Sequence, residues 1–115
     1  MAIPERVARV SEACKEVLSE IVRDEVKDPR LGFATITAVE MTADLRKARV
    51  WVSFLGEAEE RELGMQILEK AKPHIRSELA KQVRLKFVPE LEFHADTTTE
   101  QGLRIEHIIK ELNQD

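Results

Sequence analysis

The stretch from Glu57 to about Leu85 constrains this chain most. It keeps helical periodicity through Leu63, Ile67, Leu68, Ala71, Ile75, Leu79 and Val83, and strand-like segments flank it. Strands separated by so much helix cannot close a hairpin, so the sheet must contain a long crossover. Pro73 interrupts the pattern. A proline inside a helix removes a hydrogen bond and clashes with the preceding turn, at a cost of about 3 kcal/mol. The stretch is therefore expected to divide into two helices, with a sharp turn near Lys72 and Pro73 in the first turn of the second.

Upstream, Val7, Val10, Cys14, Val17, Leu18, Ile21 and Val22 form one apolar stripe and predict a helix from about Pro4 to Glu25. Asp28-Pro29 stops it, and Gly32 comes shortly after. Cys14 lies in the stripe and reads as a small buried hydrophobe rather than a reactive thiol. Phe33–Met41 is strand-like but alternates imperfectly, because Ile36 faces opposite to Phe33, Val39 and Met41. Lys47–Leu55 alternates well, with Ala48, Val50, Val52 and Phe54 on one face and Arg49, Trp51 and Ser53 on the other. Thr42-Ala43-Asp44-Leu45 closes the two as an antiparallel hairpin. Trp51, on the polar face, is expected under a helix or loop in preference to serving as a stacking platform.

Leu85, Phe87, Leu91 and Phe93 alternate along a third strand with Pro89 at its centre, which leaves that strand one exposed side or a bulge. Overlapping capping boxes, Thr97 with Glu100 and Thr98 with Gln101, then open a terminal helix to about Leu112, with Leu103, Ile105, Ile108, Ile109 and Leu112 apolar. The order α-β-β-α-α-β-α specifies a single α+β domain over residues 1–115.

Composition excludes several classes. One cysteine in 115 residues rules out a disulfide framework and multi-thiolate metal sites. No apolar run approaches the roughly 18 residues of a membrane span, and no signal-peptide core is visible, so a cytoplasmic protein without a membrane partner is expected. His74, His94 and His107 fall on three elements with no metal-ligand spacing, and each reads as a solvated histidine. Glu90 and Glu92 read as the wet side of a strand rather than a catalytic carboxylate pair. The four glycines are too scattered for a phosphate loop. No enzyme signature, metal site or cofactor is expected.

Charge is unevenly distributed. The chain carries a net −4, yet residues 70–86 hold six basic side chains against one acidic. These are Lys70, Lys72, Arg76, Lys81, Arg84 and Lys86, all at or after the proline break. A local positive patch on an acidic protein steers anionic partners more than the total does. Arg76 and Arg84, about 80° apart on an ideal helix, are expected to project outward along one flank without a structural role, with Lys81 further round at about 140° from Arg76. From charge alone this basic segment reads either as a contact for RNA phosphates or as a merely solvated face. Arg30, just past the first helix, can reach a carboxylate or a phosphate. A competing class is a protein-interaction module that docks through a strand edge or the terminal helix.

The run Val26-Lys27-Asp28-Pro29-Arg30-Leu31-Gly32 resembles the signature of the ribosome-binding factor A family. The likeness continues in Val39, Asp44-Leu45, Ala48, Val50, Val52-Ser53, Ile75-Arg76 and Arg84-Leu85. It ends in Val88-Pro89-Glu90-Leu91, Phe93 and Asp96, and Arg6 and Arg9 also match, so it spans about residues 4–112. The resemblance implies a type II KH-like domain, a three-stranded sheet packed by helices with a helix–kink–helix. It further implies a non-enzymatic assembly factor that binds the free small ribosomal subunit and its RNA. Such a factor assists late maturation of that RNA, including 5′-end processing, and matters most for growth in the cold. A monomer is expected. Two departures stand out. The family's kink is an Ala-x-Gly, and here Ala71-Lys72-Pro73 occupies it; many members carry a polar C-terminal tail, and no tail-dependent contact is expected here.

Overall fold

The computed structural model describes residues 5–96. Two helices, α1 (Glu5–Glu25) and α2 (Ala58–Gln82), cover one face of a three-stranded sheet formed by β1 (Ala34–Met41), β2 (Lys47–Phe54) and β3 (Glu90–Ala95). The α+β class and the first helix agree with the sequence reading. The terminal helix expected over residues 97–112, its capping boxes and His107 lie outside the described residues.

β1 and β2 pair antiparallel through the expected hairpin, and β3 joins β2 in parallel. A parallel neighbour requires a crossover, and α2 supplies it. At the hairpin Thr42 N–H donates to the Lys47 carbonyl at 2.9 Å, and Leu45 N–H donates to the Thr42 carbonyl at 2.9 Å. The turn places Leu45 at φ 60°, a left-handed conformation that costs a branched side chain strain, and Leu45 packs against the core.

The imperfect alternation of the first strand has a local cause. The β1–β2 register shifts between Ile36 and Ala38, so Thr37 is an extra residue in the strand. Ile36, Val39 and Met41 all reach the core because the bulge resets the alternation between them. Phe33, expected on the face of Val39 and Met41, instead lies before the strand and is exposed.

α2 corrects the expected break. It runs unbroken from Ala58 to Gln82 with Pro73 inside it, so Pro73 does not begin a second helix. Ile67, Ala71, Ile75 and Leu79 keep a four-residue spacing straight through the proline. One continuous helix presents that row to the sheet in a single phase, and burial of Ile67, Leu68, Ile75 and Leu79 offsets the proline's local cost. The helix also ends earlier than Leu85. Val83 turns extended, and its N–H closes on the Leu79 carbonyl at 2.9 Å. Pro89 is likewise not mid-strand: β3 starts after it, and its ring is fully buried.

Close packing occurs where α2 crosses β2. A Cβ at Gly64 would overlap the buried ring of Phe54. Helix propensity alone would favour Gly64→Ala by about 1 kcal/mol. Overpacking costs about 1–3 kcal/mol and outweighs that gain. Thermal melting followed by circular dichroism is therefore expected to fall, not rise, in the Gly64→Ala variant.

Candidate nucleic-acid interface

The predicted cations separate into four environments. Arg6 and Arg9 stand exposed on the first turns of α1, and Arg84 and Lys86 lie on the segment joining α2 to β3. These two elements meet over a groove of about 270 Å³ lined by Arg6, Arg9 and Arg84 beside Val10 and Leu85. It is flanked by a second hollow of about 530 Å³, where Arg6 and Arg84 recur with Lys86, Phe87 and the hairpin residues Asp44, Leu45 and Arg46. Among the described residues, five cations thus line these two hollows with one carboxylate.

Arg46 was not legible in the sequence, because it sits in an acid-rich segment. Fold geometry alone brings it to the groove. Its guanidinium lies 4.1 Å from the centre of the Phe87 ring, and Lys86 Nζ lies 5.5 Å from the same ring. Cations over an aromatic face hold that face in place at modest cost to their own reach. Asp44 is engaged by the turn: Thr42 Oγ1 donates to it at 2.7 Å and Arg46 N–H at 3.1 Å, and these bonds hold its carboxyl below the usual range. A carboxylate occupied in this way opposes an incoming phosphate less than a bare one.

Arg76 corrects the expectation of a freely projecting arginine. It is half-buried, and its Nε donates to the Pro89 carbonyl at 3.0 Å while its Nη2 donates to the Val88 carbonyl at 3.1 Å. The fork ties α2 to the chain entering β3, which gives Arg76 a structural role that its helical position did not suggest. Arg84 is not on that helix at all, and the angular relation expected for the pair does not hold.

Lys72 and Lys81 each pair with a glutamate one turn earlier, at 2.8 Å to Glu69 and 3.1 Å to Glu78. Such exposed pairs are weak, and a phosphate can displace them, but they reduce the net field at that flank. Lys70 and Arg30 line a separate pocket of about 480 Å³ between α2 and the turn after α1, together with Lys27, Glu25 and Asp28.

In that turn Asp28 caps a short 3-10 helix (Pro29–Leu31), as an aspartate before proline should. Its Oδ1 accepts from Arg30 N–H at 3.0 Å, and its Oδ2 accepts from Arg30 Nη2 at 2.7 Å. Gly32 comes next at φ 63°, a conformation that glycine adopts without strain. Arg30 is therefore engaged by a carboxylate. The Arg30 guanidinium, then its backbone N–H, lower the Asp28 carboxyl to about 2. A depressed carboxylate stabilises the fold above its unfolded value of about 3.9, and that contribution is lost as pH falls through the folded value. Between about pH 4 and pH 2 the parent chain is expected to lose more stability than Asp28→Asn, as read by urea unfolding at each pH.

Cys14 is fully buried, as expected, and burial pushes its thiol up. His94 is half-buried rather than solvated: its ring stacks on Trp51 at 4.7 Å, and Nε2 lies 2.5 Å from Glu92 Oε1. Glu92 also pairs with Lys47 at 3.4 Å, and its carboxyl is lowered chiefly by His94. Among the described residues no group of three metal-ligating side chains occurs, and no helix is long and apolar enough to cross a membrane.

Known proteins share this frame. The family model described as ribosome-binding factor A matches residues 6–109. Ribosome-binding factor A of Natranaerobius thermophilus is 45% identical over 108 residues, which cover 94% of this chain and 82% of that protein. That of Desulforamulus reducens is 41% identical, covering 94% and 90%. Among solved structures, a Thermotoga maritima protein described as a ribosome binding factor A, determined by solution NMR, superposes with a TM-score of 0.72 at 38% identity, covering 82% of this chain and 90% of that one. A Thermus thermophilus ribosome binding factor A homology model fitted into the cryo-EM map of a 30S complex superposes at 0.67 with 28% identity, covering 80% and 97%. With the family model spanning the signature turn around Asp28, the crossover helix and the strand entered through Pro89, the chain belongs to the ribosome-binding factor A family.

Proposed function

We propose that this chain is a cytoplasmic, non-enzymatic assembly factor that binds the free small ribosomal subunit as a monomer through its RNA and assists late maturation of that RNA, including 5′-end processing. The observation that carries the reading is the groove at Arg6, Arg9, Arg46, Arg84 and Lys86, a concentration of cations on a chain of net −4. Family membership and the fitted 30S complex of the Thermus relative point to the same partner.

Arg6, Arg9, Arg84 and Lys86 are the primary phosphate contacts in this reading. Lys70, Lys72 and Lys81 are secondary ones, and Arg30 and Arg76 chiefly shape the fold. Guanidinium forks suit phosphate, and contacts to the RNA backbone position a protein on its partner. The test is sedimentation of a lysate under gentle salt. The chain is expected with free small subunits and not with whole ribosomes. Raising salt from 50 to 200 mM should release it steeply, because phosphate binding displaces counterions. Salt-insensitive sedimentation would favour docking on a ribosomal protein and overturn the RNA reading.

A further inference from the structure

Phe87 lines the larger of the two charged hollows and is 42% exposed. The chain has few aromatic side chains, and most are used in packing: Phe54 and Phe93 are buried, and Trp51 stacks on His94. Phe87 instead meets solvent with cations against it. The Arg46 guanidinium lies 4.1 Å from its ring centre and Lys86 Nζ lies 5.5 Å away. Exposed cation–π contacts are weak, so they hold the ring and guanidinium together without accounting for an apolar ring at this place.

The surroundings suit a ligand. The hollow has a volume of about 530 Å³, in the size range of small-molecule sites. Leu45 and Leu85 pack on the core and give it an apolar wall. Arg6, Arg84 and Lys86 line the same space, and the Asp44 carboxylate there already accepts from Thr42 and from Arg46 N–H. Cations alone would serve the outside of a duplex, whose bases are stacked inside and whose phosphates and sugars are in reach. A flat ring beside a guanidinium serves a different group. Unpaired bases stack on aromatic rings and on arginine guanidinium planes, whatever their sequence.

We infer that this hollow takes an unpaired RNA base, stacked against the Phe87–Arg46 pair, while Arg6, Arg84 and Lys86 hold the flanking phosphates. The groove therefore selects single-stranded or flipped-out nucleotides over duplex RNA. The assignment rests on the groove being the RNA contact, and it adds which part of the RNA enters.

The probes are an RNA single strand of about eight nucleotides, the same strand in a blunt duplex, and an acidic peptide of like charge. The parent chain is expected to bind the single strand at least about fivefold more tightly than either competitor, since only the single strand offers a free ring to stack. Phe87→Leu should weaken single-strand binding at least about fivefold while leaving its salt slope unchanged, because no cation is lost. Phe87→Trp keeps a stacking ring and adds a signal, read against the Trp51 background of the parent. Its emission should be quenched by the single strand and not by the duplex. Equal binding of single strand and duplex with no quenching in Phe87→Trp would overturn the inference. Equal competition by the peptide would overturn it too, by assigning the groove to an acidic protein segment. Charge reversal at Arg6, Arg9 and Arg84 tests the groove separately. If that variant loses small subunits while Phe87→Leu binds the single strand as the parent does, the groove stands and base stacking is overturned. If both bind as the parent does, the groove reading falls and this inference with it.

Discussion

Changing Arg6, Arg9 and Arg84 together to glutamate is expected to weaken binding to purified small subunits at least about 100-fold at physiological salt. Each phosphate contact contributes a slope of about 0.7 to 0.9 in log affinity against log salt, so loss of three should flatten the dependence by about two or more. The melting temperature should stay nearly constant, because these side chains lie at the surface and changes there usually remain within about 0.5 kcal/mol. Lys72→Gln with Lys81→Gln is the matching control. Those ammonium groups already face Glu69 and Glu78, and their removal should reduce binding only slightly.

Arg76→Ala should give the reverse pattern. Two consecutive carbonyls, those of Val88 and Pro89, lose a charged forked donor where the chain enters β3 beside a fully buried proline ring. Hydrogen bonds to a charged group contribute about 1.5–3 kcal/mol, and an unmet carbonyl adds its own desolvation cost. For a domain of this size that corresponds to a fall of roughly 10 °C in melting temperature. Arg76→Lys should recover little, since one ammonium cannot reproduce the fork. Any loss of binding should track the loss of fold, returning when the variant is assayed well below its melting point. Binding lost at full stability would make Arg76 a direct contact instead.

The contrast between Arg84 and Arg76 shows what a sequence makes visible. Helix α1, the hairpin and the crossover were legible because each depends on periodicity or on turn chemistry within a few residues. Asp28 was legible as a turn residue for the same reason. The bulge at Thr37 announced itself only as a fault in alternation, with nothing to say which residue was extra. Pro73 misled because its local cost is clear in sequence, whereas the compensation comes from core residues on both sides of it. Arg76 misled because the carbonyls it binds lie 12 and 13 residues away on another element. The groove is assembled from three separate segments, so a count of charge along residues 70–86 found Arg84 and Lys86 and missed Arg46. That count also gave equal weight to Lys72 and Lys81, which the helix itself pairs with glutamates.

RNA is expected chiefly in the groove between α1, the hairpin and the segment before β3, with only secondary contact along α2. Site-specific photocrosslinking tests this placement most directly. A short photoreactive side chain is placed at position 84 in one protein and at position 70 in another, each is bound to purified small subunits, and the crosslinked species are separated. Position 84 should crosslink to ribosomal RNA, while position 70 should give little RNA product. Strong RNA crosslinks from position 70 with none from position 84 would contradict the groove as the RNA site and move the interface to the pocket beside Asp28 and Arg30.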